Sequence, residues 1–166
     1  MTAPVSEIDE LRCLLAEATI RLRLVEDERA VLGVLYSYHH TLGNHDRDGW
    51  LNCFASDAVL LATGPDGSQI YEVRGQAALR QWYDRRARQW PAGSEGHAYV
   101  NPRVRIDGDR ADASGFFITM SMGEGALVLR STGEYSDHLV RCSDKAWRII
   151  ERRTRIRLTN RQSFVS

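Results

Sequence analysis

Two apolar rhythms divide this chain. Between Ile8 and Leu42 apolar residues recur at steps of three and four, and beyond His97 they alternate with polar ones. The first helix is predicted to start at Ser6, whose hydroxyl can cap the free N–H groups, with Asp9 as a weaker form of the capping-box partner. Ile8, Leu11, Leu15, Ala18, Leu22 and Val25 make one stripe. Such a stripe suits a neighbouring helix, within the fold or in another subunit, or packing on a sheet. A second helix is predicted from Glu26 to Leu42, carrying Val31, Leu35, Tyr38 and Leu42. Gly43-Asn44 is its expected stop, since both residues tolerate a left-handed backbone. Asp46 or Asp48 can cap a short third helix bearing Trp50, Leu51 and Phe54. Val59 to Thr63 and Gln69 to Val73 read as a hairpin around Gly64-Pro65-Asp66-Gly67. A fourth helix follows Gly75, with Leu79, Trp82, Tyr83, Arg86 and Trp90 at helical spacing and Pro91 ending it.

The alternating section predicts a four-stranded meander. His97, Tyr99, Asn101, Arg103 and Arg105 alternate with Ala98, Val100, Pro102, Val104 and Ile106, which gives one polar and one small or apolar face. Asp107-Gly108-Asp109 turns the chain into a strand from Ala111 to Met122. Gly123-Glu124-Gly125 reads as a loop, followed by Ala126 to Cys142, the Ser143-Asp144-Lys145 turn, and a last strand from Ala146 to about Arg157. With no repeat or linker, the order predicts a single α+β domain over residues 26–160, preceded by a helical extension over 1–25. A curved sheet with helices on one side and His, Tyr and Asn on its wall would form a pocket for a small molecule.

Composition narrows the options. At 166 residues the chain can bury a sizeable core. Its 22 basic and 22 acidic residues cancel, leaving no overall field for nucleic acid or an acidic membrane. The clusters Arg85, Arg86, Arg88 and Arg152, Arg153, Arg155 read as solvated faces. Cys13, Cys53 and Cys142 are odd in number and lack metal-type spacing, which favours buried thiols in a reducing compartment. No basic-then-apolar leader and no apolar run near the roughly 18 residues of a span is present, so a soluble cytoplasmic protein is expected.

At the motif level the segment EDERAVLGVLYSYHHTLGNHDRDGWLNCFASDAVL resembles the opening of SnoaL-like proteins in the nuclear transport factor 2-like superfamily. Glu26, Tyr38, Asp46, Trp50, Phe54, Asp57, Ala58 and Val59 fill the places of its motif residues. HAYVNPRVRIDGDRADA and GEYSDHLVRCSDKAWRIIERR are similar to the family's later runs, so the likeness covers about Glu26 to Arg153. It implies a cone-shaped, strongly curved antiparallel or mixed sheet, wrapped by N-terminal helices around a deep and mostly apolar cavity. Relatives implied by it include scytalone dehydratase, ketosteroid isomerase, limonene epoxide hydrolase, polyketide cyclases, dehydrochlorinases and non-catalytic subunits; a shared fold does not choose among them.

His97 is the leading catalytic candidate, because an imidazole facing a cavity can take and return a proton near neutral pH. The alternative is a histidine satisfied by Asn101 or a backbone carbonyl. In dehydratase-like relatives a His at the matching place works beside an Asp from the helix end. Here Gly43 stands at that position, which removes the usual partner. Asp46, the second member of the pair, is expected to cap a helix.

Tyr38 is a second catalytic candidate and Tyr99 a substrate-binding one, each able to donate a phenolic hydrogen bond or else serve as core. Asn101 could hold a substrate carbonyl or fix His97. His39, Trp50, Trp82 and Tyr83 complete the predicted substrate-binding set, with Trp90 another possible roof residue. His39, His40 and His45 lack a convincing ligand spacing, so no metal is expected. Asp137 and His138 should face opposite sides, as should Arg152 and Arg153, one of which could look into the cavity.

No serine-nucleophile, phosphate-loop or dinucleotide motif occurs, and no cofactor is expected. The reading is a cofactor-independent dehydratase, isomerase or cyclase acting by acid/base chemistry on a small, apolar, cyclic metabolite. Its rival is a non-catalytic ligand-binding domain or accessory subunit resembling the small subunits of ring-hydroxylating oxygenases. A homo-oligomer, specifically a dimer, is the expected assembly.

Overall fold

The computed structural model describes residues 7–90, 94–123 and 125–159, so Ser6 and Pro91, named above as helix start and stop, and Glu124 lie outside the described residues. The elements run α1 (Glu7–Gly43), α2 (Arg47–Asn52), β1 (Phe54–Thr63), β2 (Gln69–Arg74), α3 (Gly75–Gln89), β3 (Glu95–Asp107), β4 (Arg110–Gly123), β5 (Ala126–Arg141) and β6 (Trp147–Thr159). The strands form one curved, mixed sheet, ordered β2-β1-β6-β5-β4-β3 and not closed into a barrel. Only the β1–β6 pair is parallel; the other neighbours are antiparallel. Register shifts interrupt each of the four antiparallel ladders, and such bulges bend a strand and increase its twist.

The two predicted N-terminal helices are one helix of 37 residues. The stripe slips by one residue between Val25 and Val31, and periodicity alone does not distinguish that slip from a break. No proline intervenes, and Glu26, Asp27, Glu28 and Arg29 carry the backbone through. The two halves have different surroundings. Apart from Asp27, residues 7–30 are exposed, the whole first stripe included, whereas Val31, Leu35, Tyr38 and Leu42 are buried. Asp27 is where packing begins: it accepts from Arg141 and from the Trp147 indole, and the Arg141 guanidinium lies 4.5 Å above that indole.

The end of α1 also differs in detail from the expectation. His45, not Gly43 or Asn44, takes the left-handed conformation (φ 58°). The Asp46 N–H then reaches back to the Thr41 carbonyl at 2.9 Å, which closes the helix in a Schellman arrangement. Asp46 goes on to cap α2 through the Gly49 N–H at 2.9 Å. Phe54 opens β1 rather than riding on α2.

The largest correction falls on β3, whose odd-numbered residues do not share one face. Asn101 has φ 52°, and the pairing jumps from Val100–Phe116 to Arg103–Ser114, inserting one extra residue. Glu95, His97 and Tyr99 therefore point inward before the bulge, and Val104 and Ile106 do so after it, packed against the core. Tyr99 lies across Gly115, where an added Cβ would sit 2.7 Å from the ring.

Candidate functional site

The concave side of the sheet, α3 and the end of α1 enclose a cavity of about 340 Å³. Its aromatic walls come from Trp82 of α3, Trp90 just past the end of that helix, Tyr71 of β2, Tyr38 of α1, and Phe117 and Tyr135. The polar groups converge from five elements: Arg85, Arg86 and Gln89 on α3, Glu95 and His97 on β3, Thr119 on β4, Arg130 and Ser131 on β5, and Thr154 on β6.

The densest chemistry lies on the β3 wall. Glu95 and His97 are two positions apart on a strand and so face the same way. The His97 side chain is 4% exposed, with Nε2 3.4 Å from the Glu95 carboxylate and 3.4 Å from Arg86 Nη2. Arg86 also donates to Glu95. Burial works against ionisation of Glu95, but the hydrogen bond with His97 and the Arg86 charge outweigh it and hold the carboxyl below the usual range. One ring nitrogen therefore meets an acceptor and a donor at equal distance. Unprotonated, it can accept from Arg86; protonated, it can donate to Glu95. That arrangement suits a group exchanging a proton with a ligand. Gly43 faces the same ring: an added Cβ would meet only the His97 Cδ2, at 3.7 Å.

Tyr38 and Trp82 also line the cavity. Burial raises the Tyr38 pKa, with the Arg152 charge opposing, so the phenol is a neutral hydrogen-bond donor at ordinary pH. The Arg152 guanidinium lies 4.0 Å over the Tyr38 ring and 4.3 Å over Tyr135. It is fully buried in a bidentate pair with Asp137 at 2.7 and 2.8 Å. Arg153 is turned outward onto Glu151, and His138 meets Asp112 at the surface. Arg152 and Arg86 thus correct the expectation that both basic clusters are solvated faces.

Five residues predicted to bind substrate lie away from this cavity. Asn101 is exposed at its bulge, which turns it from the His97 wall into a separate depression on the other sheet face. Tyr99 points inward but is stacked on His39, with ring centroids 5.3 Å apart, and both sit behind the lining. His39 makes no side-chain hydrogen bond; burial, then the charges of Arg152 and His97, push its pKa down to about 2. It is a neutral core aromatic. Trp50 is fully buried against Trp82, and Tyr83 is buried with its hydroxyl 3.4 Å from the Thr41 carbonyl. Trp82, Tyr83 and Trp90 share one helical spacing, but burial divides them: Tyr83 belongs to the core, Trp82 and Trp90 to the cavity.

Glu95, Arg86 and Arg130 are the cavity groups that sequence reasoning missed. A carboxylate two residues before a candidate histidine on a strand was the available signal for Glu95. Among the described residues no cluster of three or more His, Cys, Asp or Glu side chains is placed for a metal ion, and no helix is long and apolar enough to cross a membrane.

Comparison with known proteins agrees with this architecture. Residues 23–153 match the SnoaL-like domain. The chain belongs to the SnoaL-like family. Among solved structures, this SnoaL-like chain is similar to a nuclear transport factor 2-like protein with a cystatin-like fold from Novosphingobium aromaticivorans (20% identity, 86% of this chain and 89% of that one, TM-score 0.77). It is also similar to a candidate scytalone dehydratase from the same organism (18%, 83% and 88%, TM-score 0.68). A third likeness is to the beta subunit of benzoate 1,2-dioxygenase from Burkholderia mallei (17%, 82% and 92%, TM-score 0.65). At these identities the likeness is one of fold. No curated protein matches the sequence.

Proposed function

We propose that this SnoaL-like protein is a cofactor-independent enzyme of the dehydratase, isomerase or cyclase type, with His97 as its acid/base. The observation that carries this reading is the His97 imidazole on the cavity wall, flanked at 3.4 Å by both Glu95 and Arg86. The resemblance puts the family's carboxylate at the helix end, where this chain has Gly43; Glu95 supplies one from the strand instead. In a dehydration, His97 would take the proton α to a carbonyl and return it to the leaving hydroxyl, so that C–H and C–O bonds break, C=C forms and water departs. Tyr38, a neutral donor, would hydrogen-bond the developing enolate oxygen. Acid/base catalysis of this kind contributes roughly 10²–10⁴-fold.

The test is a panel of cyclic β-hydroxy ketones, followed by the growth of enone absorbance. Turnover abolished by His97→Gln, with ligand affinity retained, is the expected result; unchanged turnover in that variant would remove His97 from the mechanism. A second reading, a ligand-binding or accessory subunit, is favoured by Gly43 itself and by the fold likeness to an oxygenase beta subunit. Tight binding without turnover across the panel would select it.

We also propose a homodimer in which the exposed half of α1 pairs with its copy. Ile8, Leu11, Leu15 and Leu22 are between 58% and 69% exposed. An antiparallel alignment centred on Leu15 would set Ile8 opposite Leu22, Glu7 opposite Arg23 and Asp9 opposite Arg21. Sedimentation at micromolar concentration tests it, with a monomer as the contrary result.

A further inference from the structure

The electrostatics of the cavity point to a ligand of a particular kind. Among the described residues three guanidiniums and one carboxylate line it, and that carboxylate is held by Arg86. Among the described residues, neither Arg85 nor Arg130 has a carboxylate partner. Arg85 is exposed at the edge, whereas Arg130 is half-buried and held from two sides. Its Nε donates to the buried Ser121 hydroxyl at 2.6 Å, and its guanidinium lies 4.8 Å over the Trp90 ring. Those contacts fix the plane of the group and leave its two terminal nitrogens without an acceptor among the described residues, a fork shaped for a carboxylate.

Backbone geometry explains how it comes to face inward. Arg130 and Ser131 are consecutive, and consecutive strand residues normally face opposite sides. Here both line the cavity. The β4–β5 register jumps from Thr119–Ser131 to Met120–Leu129, making Arg130 the extra residue of a bulge. A bulge that turns a charged side chain toward an aromatic cavity, with no carboxylate among the described residues to meet it, has its explanation in a ligand.

We propose that Arg130 receives a carboxylate of the ligand, and that the cavity takes a planar ring acid of one or two rings. The ring would lie among Tyr71, Trp82 and Trp90, with its carboxylate on the Arg130 fork and Arg85 adding charge at the edge. Placement agrees. The Arg130 guanidinium is held at Ser121, which pairs with Glu95 on the neighbouring strand, two residues from His97. The anion receptor and the candidate acid/base therefore stand on adjoining walls of one cavity, and a ring acid seated on Arg130 reaches toward His97. This substrate class rests on the reading of the cavity as the ligand site, not on any particular reaction there.

The experiment is isothermal titration calorimetry of the full chain with 2-naphthoate and with its neutral counterpart 2-naphthamide. The acid should bind about tenfold tighter or better, the scale of a charge-assisted fork, and should weaken as salt is raised. Arg130→Met should reduce the acid to the level of the amide while leaving the amide within about twofold, and Arg130→Lys, which keeps the charge but loses the fork, should fall between. An amide that binds as well as the acid, an equal loss of both ligands in Arg130→Met, or no binding of 2-naphthoate at millimolar concentration would overturn the proposal. Arg153→Met, at an outward-facing arginine on the neighbouring strand, should leave 2-naphthoate affinity unchanged. Arg130-dependent binding without turnover on any ring acid would count against the catalytic reading alone, and turnover of neutral compounds without preference for the acid against this one alone.

Discussion

Two buried ion clusters sit a few strands apart in the same sheet, and the space beside them separates their roles. Asp137 and Arg152 face each other across β5 and β6, bidentate, both fully buried, with the guanidinium stacked between Tyr38 and Tyr135. Glu95, Arg86 and His97 are nearly as buried, at 9%, 17% and 4% exposure, but all three look into the cavity. The first cluster is a carboxylate and a guanidinium alone, and the aromatic stack closes it off. The second adds an imidazole between opposite charges and leaves room for a ligand. Burial of charge is common to both; access to a cavity, with a titratable member, distinguishes the candidate site from the brace.

The largest effect should come from breaking the brace. Arg152→Met leaves the Asp137 carboxylate buried without its partner and should cost about 3–5 kcal/mol in urea unfolding, whereas adding Asp137→Leu should recover much of that loss. The wall cluster should respond the other way round. Glu95→Gln should alter stability modestly but lower turnover by about 10²-fold on any substrate the protein converts. Because a side chain at position 43 would project toward the His97 ring, Gly43→Asp in the Glu95→Gln background should restore part of that turnover; no recovery would mean that Glu95 does more than balance charge.

A third contrast lies between the two inward histidines. His39 has a folded pKa of about 2, well below the unfolded value of about 6.5. The stability it contributes is complete above about pH 6.5 and is lost as pH falls toward its folded value. His39→Phe should therefore flatten the fall in stability on acidification by up to about 1.4 kcal/mol per pH unit, read as the difference between the two proteins' unfolding curves from pH 6 to 3. His97, by contrast, faces the cavity with Glu95 and Arg86 each 3.4 Å from its Nε2. The smallest effect on the chain itself belongs to the exposed end of α1: Leu15→Glu should change unfolding of the domain by less than about 0.5 kcal/mol yet shift sedimentation from dimer to monomer.

Much of this was legible in the order of residues. The stripe through Val31, Leu35, Tyr38 and Leu42 is buried, the hairpin and the meander pair in the predicted order, and Asp137 and Arg152 point opposite to their neighbours as strand geometry requires. His97 reaches the cavity wall. The failures share one origin. Asn101 was grouped with His97 because alternation counts positions, and the extra residue at the Asn101 bulge reverses the count. Arg130 was passed over for the same reason, and Arg86 was left to solvent because nothing near it in sequence announces Glu95 and His97 as its partners.

Periodicity is a local property, so the sequence by itself determined which segments become helices and strands, which residues must leave water, and which family the motifs resemble. Bulges and buried charges are set by pairing between segments far apart in the chain. A strand takes in an extra residue only where its neighbour's register demands it, and a guanidinium is buried only where a distant carboxylate or ring offsets its desolvation. Tertiary structure therefore decided that Glu95 stands beside His97, that Arg130 turns inward, and that Asn101 turns away.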